Sequence, residues 1–117
     1  MHQARILIAE DEALIAEDLR HTVLMLGYAV VGVTQSGEQA VQQALDLRPD
    51  LVLLDYKLKG SMDGLEAGKL IQQALAAAVV FISANANVLT QPYVVQKPFS
   101  RTNLSRVMAA ALASKQE

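Results

Sequence analysis

The run Leu51-Val52-Leu53-Leu54 is the stretch that most restricts how this chain can fold. Four consecutive aliphatic residues leave no side for solvent, so the run predicts a strand buried on both faces, as in the centre of a parallel sheet. The run ends at Asp55, where the chain turns away. Ligands of open α/β sheets bind at the carboxyl ends of strands, which makes Asp55 a candidate for chemistry. An Asp in this place also commonly caps a turn, so the rest of the chain must decide.

Short aliphatic runs alternate with stretches of helical periodicity along the rest of the chain. The other strands are predicted at residues 5–9, 28–33, 78–83 and 93–96. Apolar residues at helical spacing predict one helix that ends at Gly27 and three more that are opened by Ser36, Asp63 and Ser100. The alternation predicts an α/β fold, with a single doubly wound five-stranded parallel sheet in the flavodoxin-like order 2-1-3-4-5.

The connection between the fourth and fifth strands is too short for an ordinary crossover. Only residues 85–92 remain for it, whereas a crossover with its helix needs at least ~10–12 residues. We therefore expect the helix between these strands to be reduced or absent.

Composition narrows the class of protein. The 117 residues predict one domain, residues 1–117. A formal net charge of −2 with no basic block argues against direct nucleic-acid binding. The chain has no cysteine, which excludes disulfides and thiolate metal sites. It also has no apolar run of ~18 residues and no secretory signal, so we expect a cytoplasmic protein without membrane association.

Polar side chains collect at the predicted carboxyl edge of the sheet. Strand one delivers Glu10 and Asp11, strand three Asp55, strand four Ser83 and strand five Lys97. Three carboxylates at one edge repel each other unless a cation lies among them. Oxygen ligands predict magnesium, with manganese as an alternative. A metal, a lysine and a hydroxyl beside a carboxylate are typical of phosphoryl transfer, in which an Asp oxygen can act as the nucleophile.

Each of these residues has an ordinary structural alternative. Glu10 and Asp11 could serve only to favour the positive N-terminus of the first helix. Ser83 could cap a turn, and Lys97 could be a solvated surface lysine. Their coincidence at the ends of four strands favours a functional site.

With these motifs the chain resembles the receiver domain of bacterial two-component response regulators. The resemblance covers nearly the whole chain and rests on residues 6–12, on 51–55 with Leu58, Gly60, Asp63 and Gly64, on 83–84 and on 97–99. It implies that Asp55 is the phosphoacceptor. The implied metal ligands are Glu10, Asp11, Asp55 and the backbone carbonyl of Lys57. The implied phosphoryl-binding groups are Ser83, the Ala84 backbone and Lys97. A cis Lys97–Pro98 bond is also implied.

The resemblance implies partners as well. A sensor histidine kinase or a histidine phosphotransfer protein would supply the phosphoryl group, and an unknown downstream protein would read it. Helix one is expected to dock the kinase through Leu14, Asp18, His21 and Met25. The chain would not be an enzyme beyond its own phosphorylation and dephosphorylation.

Two departures from the receiver pattern concern switching. Receivers usually carry Tyr or Phe three residues before the lysine, where this chain has Val94, and strand alternation should aim Tyr93 at the opposite face. With the preceding helix reduced, the chain resembles the alphaproteobacterial single-domain receivers called the FAT GUY group. We expect a mobile loop, ordered by phosphorylation, to carry the signal instead: Asn85, Ala86, Asn87, Val88, Leu89, Thr90, Gln91 and Pro92.

Several alternatives to a stand-alone receiver stay open. The chain could be a receiver fragment of a larger regulator with a DNA-binding or enzymatic output domain, or a receiver-shaped module that is never phosphorylated. An Asp-nucleophile phosphatase of the haloacid dehalogenase type would need a second Asp where Lys57 stands, and a cap domain. A nucleotide-binding module would need a Gly-rich loop, whereas residues 10–12 are acidic.

Overall fold

The computed structural model of the chain describes residues 3–85 and 90–115. Within them, five parallel strands form one sheet in the order β2-β1-β3-β4-β5, accompanied by four helices. The strands are β1 (Arg5–Ala9), β2 (Ala29–Thr34), β3 (Leu51–Asp55), β4 (Ala78–Ser83) and β5 (Val94–Gln96). The helices are α1 (Ala13–Met25), α2 (Gly37–Leu47), α3 (Gly64–Ala74) and α4 (Arg101–Ser114). The predicted fold class and strand order are confirmed.

The central strand β3 contributes to two hydrophobic cores, one on each face of the sheet. Leu51 and Leu53 join the α1–α4 core, which is formed with side chains of α1 and α4. Val52 and Leu54 join the α2–α3 core, formed with α2 and α3. All four side chains are fully buried. The uniformly aliphatic run therefore has the cause predicted for it, which is burial on both faces.

Local side chains cap the helices at the predicted residues. Ser36 Oγ accepts the Gln39 N–H at 3.1 Å, and Asp63 and Ser100 make the equivalent bonds at the starts of α3 and α4. Gly27 follows α1 with φ of 94°, a left-handed conformation that glycine adopts without strain. One detail differs from a standard capping box: Gln39 Oε1 accepts the N–H of Gln35 rather than that of Ser36.

Three strand boundaries lie one residue later than predicted. Tyr28 lies in the turn between α1 and β2, where its N–H bonds to the Val23 carbonyl, and β2 begins at Ala29. At its other end β2 extends to Thr34, whose carbonyl accepts the Glu10 N–H at 2.9 Å. Strand β5 begins at Val94 rather than at residue 93, since its pairing with β4 starts there.

The connection between β4 and β5 contains no helix in the part that the structure describes. Ala84 and Asn85 form a turn, and residues 90–93 are not helical. The expected loss of an ordinary crossover helix agrees with these residues. Four residues of the predicted switch loop lie outside the described ones: Ala86, Asn87, Val88 and Leu89.

None of the helices in residues 3–85 and 90–115 has the length and apolar character needed to span a membrane.

Candidate functional site

The carboxyl edge of the sheet brings three acidic residues and one lysine together. Carboxylate oxygens of Glu10, Asp11 and Asp55 all lie within 4.8 Å of one another. The ammonium nitrogen of Lys97 lies 2.9 Å from Asp55 Oδ2 and 3.0 Å from Glu10 Oε1. Residues that are more than 80 positions apart in sequence meet because β1, β3 and β5 end at the same edge. The predicted clustering of these four side chains is thus observed.

Burial separates this cluster from ordinary surface charges. Glu10 is 1% exposed and Asp55 is buried, while Asp11 is half-buried. The Lys97 side chain is 17% exposed, so it is not the solvated surface lysine of the structural alternative. With all four groups ionised, the cluster keeps two negative charges that the lysine does not neutralise.

Glu10 has one satisfied oxygen and one that is not. Oε2 accepts the Glu12 N–H at 3.0 Å, close to the start of α1 as the structural alternative supposed. Oε1 is buried and has Lys97 beside it, but no donor in the described part of the chain is aligned with it for a hydrogen bond. Burial raises the pKa of Glu10 to about 7, against the opposing effects of the Glu12 N–H and Lys97. The surroundings therefore stabilise the charged form of this side chain only in part.

Lys97 responds to the same surroundings in the opposite sense. Burial alone would lower the pKa of its ammonium group, but the contacts with the Asp55 and Glu10 carboxylates outweigh burial and raise that pKa. Lys97 is therefore a permanent positive charge at the site.

The acidic cluster fits a divalent cation. Its two surplus negative charges match the charge of such an ion, and Glu10 Oε1 is a buried acceptor that, among the described residues, makes an ion pair with Lys97 but no hydrogen bond. Hard carboxylate oxygens are the ligands that magnesium prefers in proteins. Glu10, Asp11 and Asp55 could hold the ion. That the Lys57 carbonyl also binds it stays a prediction.

Asp55 is fixed by the loop that follows it. Its Oδ1 accepts the Lys57 N–H at 3.2 Å, as the turn-capping alternative predicts, while Oδ2 faces Lys97. Gly64, at the start of α3, packs so closely that a Cβ there would overlap the Asp55 carbonyl oxygen. The sequence patterns indicated Gly64 only as part of a motif, because a close approach between backbones has no local signature.

Ser83 lies beside a cavity at the end of β4. Its hydroxyl oxygen accepts the Asn85 N–H at 3.1 Å, so it does cap a turn. This bond uses a lone pair and leaves the hydroxyl proton free to donate. The adjoining cavity of about 190 Å³ is lined by Tyr56, Lys57, Ser83, Ala84 and Asn85. It has room for several waters or a small oxyanion.

The four residues of the predicted docking face lie on the solvent side of α1. Leu14 is 88% exposed and Met25 is 59% exposed, and Asp18 and His21 are exposed as well. The buried stripe of the helix includes Leu19 and Val23, which agrees with the predicted division of its faces.

A mostly apolar cavity of about 370 Å³, which the sequence did not indicate, lies between α1 and the segment after β5. Its lining consists of Ile15, Asp18, Ala84, Lys97, Pro98 and Phe99. It connects the surface of α1 with Lys97, and the Lys97–Pro98 bond is cis, as the resemblance implied.

Val94, which stands where receivers usually have Tyr or Phe, and the adjacent Tyr93 point to opposite faces of the sheet. Tyr93 packs on the α1–α4 core and Val94 on the α2–α3 core. The prediction from strand alternation is confirmed, so Tyr93 does not replace an aromatic side chain at position 94.

Comparison with known proteins agrees with this geometry. The model of the response regulator receiver domain family matches residues 6–109. The chain is similar to the phyllosphere-induced regulator PhyR of Methylorubrum extorquens, with 39% identity over 92% of this chain and 43% of that protein. It is also similar to PdtaR of Mycobacterium tuberculosis, with 41% identity over 68% of this chain and 38% of that protein. The chain thus spans less than half the length of these curated relatives.

Solved structures of receiver domains share the fold. The signal receiver domain of a modulated diguanylate cyclase from Desulfovibrio desulfuricans G20 matches with a TM-score of 0.88 and 32% identity, over 98% of both chains. The receiver domain of the sensor histidine kinase PA1611 from Pseudomonas aeruginosa PAO1 has a TM-score of 0.84 and 26% identity, over 96% of this chain and 99% of that one. The structure of that second domain contains a magnesium ion coordinated in the active-site cleft.

Proposed function

The chain belongs to the response regulator receiver domain family, and we propose that it accepts a phosphoryl group on Asp55 in two-component signalling. The donor would be a sensor histidine kinase or a histidine phosphotransfer protein. The observation that carries the proposal is the contact of Lys97 with Asp55 at 2.9 Å inside the buried acidic cluster. The contact supports the proposal because a cation held beside a carboxylate can neutralise charge on a phosphoryl group that the carboxylate accepts.

The chemistry follows from the charges of the residues. An Asp55 oxygen attacks the phosphorus atom, a phosphorus–oxygen bond forms, and the bond to the donor breaks with its electron pair leaving on the donor. Phosphorylation converts Asp55 from an anion to an acyl phosphate, so Lys97 is free to pair with a phosphoryl oxygen. The Ser83 hydroxyl and the Ala84 N–H are the donors we assign to the remaining oxygens.

We propose magnesium as the cofactor, held by Glu10, Asp11, Asp55 and the Lys57 carbonyl, with manganese able to replace it. When bound, the ion neutralises charge on the phosphoryl group and its leaving group. The surplus negative charge supports this assignment, as does Glu10 Oε1, a buried acceptor with no hydrogen bond to the described residues. A magnesium ion in the cleft of the P. aeruginosa receiver supports it as well.

Incubation with acetyl phosphate and magnesium, followed by intact-mass measurement, tests the proposal. We expect one phosphoryl group on the wild-type protein, none after magnesium removal with EDTA, and none on Asp55→Asn. An adduct that persists on Asp55→Asn would contradict the assignment. Repeated turnover of phosphate monoesters would instead favour an Asp-nucleophile phosphatase.

We propose that residues 1–117 act as a stand-alone receiver in the cytoplasm, where ATP-dependent kinases phosphorylate their partners. Narrower membership of the FAT GUY group stays a prediction. The greater length of the curated relatives favours a second candidate, the receiver part of a larger regulator with an output domain. An antibody against the chain decides between them, because the native protein would migrate at the size of the receiver in the first case and well above it in the second.

We propose that the loop of residues 85–92 passes the signal to an unknown downstream protein. The Asn85 N–H is bonded to Ser83 Oγ, so an inward movement of Ser83 toward the phosphoryl group would pull on the start of this loop. Val94 offers no aromatic ring to move in its place. Relaxation-dispersion NMR should show microsecond-to-millisecond exchange in residues 85–92 that is reduced by magnesium with beryllofluoride. Equal rigidity in both states would contradict the role of the loop.

A further inference from the structure

The loop of residues 56–63, which links the phosphoacceptor strand to α3, is tied to Asp55 at both ends. At its start, the Lys57 N–H donates to Asp55 Oδ1 at 3.2 Å. At its end, the Gly64 N–H donates to the Tyr56 carbonyl at 2.8 Å, with Gly64 packed on the Asp55 backbone. A shift of this loop therefore moves the groups around Asp55.

The middle of the same loop is held by another element, the first turn of α2. Glu38 Oε1 accepts the Met62 N–H at 2.8 Å, across 24 positions of sequence. Ser36, the N-cap of α2, pairs with Lys59 in an isolated parallel bridge. Gly37 lets the loop come close, because a Cβ there would lie 2.5 Å from the Met62 carbonyl oxygen.

We infer that Glu38 is a positioning residue for the Asp55 site, acting through the loop of residues 56–63. The inference rests on the proposed function and extends it to a side chain on a different element. By holding the Met62 N–H, the Glu38 carboxylate fixes the backbone that carries Lys57, whose carbonyl we assign to the metal.

The loop needs such a contact because it buries little of itself. Five of its eight residues are exposed: Lys57, Lys59, Gly60, Ser61 and Asp63. Gly60 adds conformational freedom, with φ of 97°, and it lies against the Glu38 carboxylate, where a Cβ would clash. Ordering a segment of this kind has an entropic cost that hydrophobic burial does not offset here. The hydrogen bond from the Met62 N–H to Glu38 Oε1, an acceptor on a rigid helix, offsets part of this cost.

Glu38 also has a simpler role that must be separated from this one. It lies in the first turn of α2, where a negative charge stabilises the helix through the helix dipole. Glu38→Gln removes the charge but keeps an oxygen that can accept the Met62 N–H. Glu38→Ala removes both. The two variants therefore distinguish loop positioning from a dipole effect.

The experiment compares Glu38→Ala, Glu38→Gln and Asp46→Ala with the wild-type protein. Asp46→Ala is the matched control, since it removes an exposed carboxylate of the same helix that bonds only to Gln42 among its described contacts. The measurements are the dissociation constant of magnesium, the rate constant of acetyl phosphate labelling at limiting magnesium, and hydrogen exchange of the Met62 amide. For Glu38→Ala we expect weaker magnesium binding and slower labelling by about three- to tenfold, with faster Met62 exchange. Glu38→Gln and Asp46→Ala should stay close to wild type.

Each result decides a separate point. Unchanged magnesium binding and Met62 exchange in Glu38→Ala would overturn the inference while leaving phosphorylation of Asp55 intact. Equal losses in Glu38→Gln and Glu38→Ala would assign the effect to charge and would also overturn it. If the wild-type protein neither binds magnesium nor is labelled, the proposed function fails. In that case, unchanged hydrogen exchange of the Met62 amide in Glu38→Ala would overturn the inference too. Faster exchange in Glu38→Ala but not in Glu38→Gln or Asp46→Ala would support the role of Glu38 in holding the loop.

Discussion

Lys97 shares one ammonium group between two carboxylates that would otherwise repel each other. Its contacts with Asp55 and Glu10 measure 2.9 Å and 3.0 Å, yet only the bond to Asp55 is aligned as a hydrogen bond. Glu10 is thus the less satisfied member, and its raised pKa records the cost of burying its charge. Sequence patterns presented Glu10 as one of three similar acids, whereas in the fold it carries a buried oxygen that makes no hydrogen bond to the described residues.

The raised pKa of Glu10 predicts how the stability of the metal-free protein depends on pH. The pKa is about 7 in the fold and 4.5 in the unfolded chain, so the folded state binds more protons between these values. The free energy of unfolding should therefore rise as pH falls from 8 to 5, by roughly 1–3 kcal/mol from this group. Urea unfolding in EDTA at several pH values measures it.

Glu10→Gln provides the control for this pH dependence. Gln cannot titrate, so the variant should lose the part of the pH dependence that comes from Glu10 and should be the more stable protein at pH 8. A wild-type curve that runs parallel to that of Glu10→Gln would show that Glu10 does not titrate in this range.

Among the elements, α1 separates a buried stripe from an exposed face with large apolar residues. Leu14 protrudes most, and the apolar cavity beside Asp18 and Phe99 opens next to the same helix. Exposed apolar side chains next to a groove are typical of interaction surfaces. This arrangement supports the predicted docking of a kinase, although single exposed apolar residues are normal on any protein.

Leu14→Glu tests the docking face. A charge at this position should slow phosphotransfer from the cognate kinase by about tenfold or more, the loss expected for an interface anchor, and leave acetyl phosphate labelling unchanged. Leu45→Glu is the matched control, since Leu45 is an exposed leucine on α2. Equal slowing with both donors, or an equal effect of Leu45→Glu, would contradict a docking role for Leu14.

The elements also show which features a sequence can predict. Helix starts at Ser36, Asp63 and Ser100 were predictable because the capping side chain and its target lie three residues apart. The contact of Glu38 with Met62 was not, since nothing local to either residue records it. The acidic cluster was predictable only in part: its residues could be found at the strand ends, but the sheet topology is needed to bring those ends to one edge.

For the whole molecule, the packing of α3 on the sheet decides whether Gly68→Ala stabilises or destabilises the protein. Helix propensity alone would predict the wrong direction. Gly68 lies inside α3, where Ala would be preferred by about 1 kcal/mol. A Cβ at this position would lie 2.6 Å from Phe81 Cζ, and Phe81 is fully buried between β4 and α3. Overpacking of a core costs about 1–3 kcal/mol, which exceeds the helical gain.

We therefore expect Gly68→Ala to lower the free energy of unfolding by about 1–2 kcal/mol. Phe81→Leu in the same chain should reduce the loss by making room for the methyl group, which a double-mutant cycle in urea measures. Stabilisation by Gly68→Ala alone would show that Phe81 moves aside without cost.

The division of the interior by β3 has a consequence for how such a chain can evolve. Leu51 and Leu53 serve one core and Val52 and Leu54 the other, so the two cores share a backbone but few side chains. Substitutions that are far apart and share no partners have nearly additive effects. If a kinase docks on α1 as proposed, mutations that adapt the α1–α4 face to a new partner can accumulate without repacking α2 and α3, which support the loop after Asp55. Under the proposed function, partner choice and phosphoryl chemistry could then change independently within one small domain.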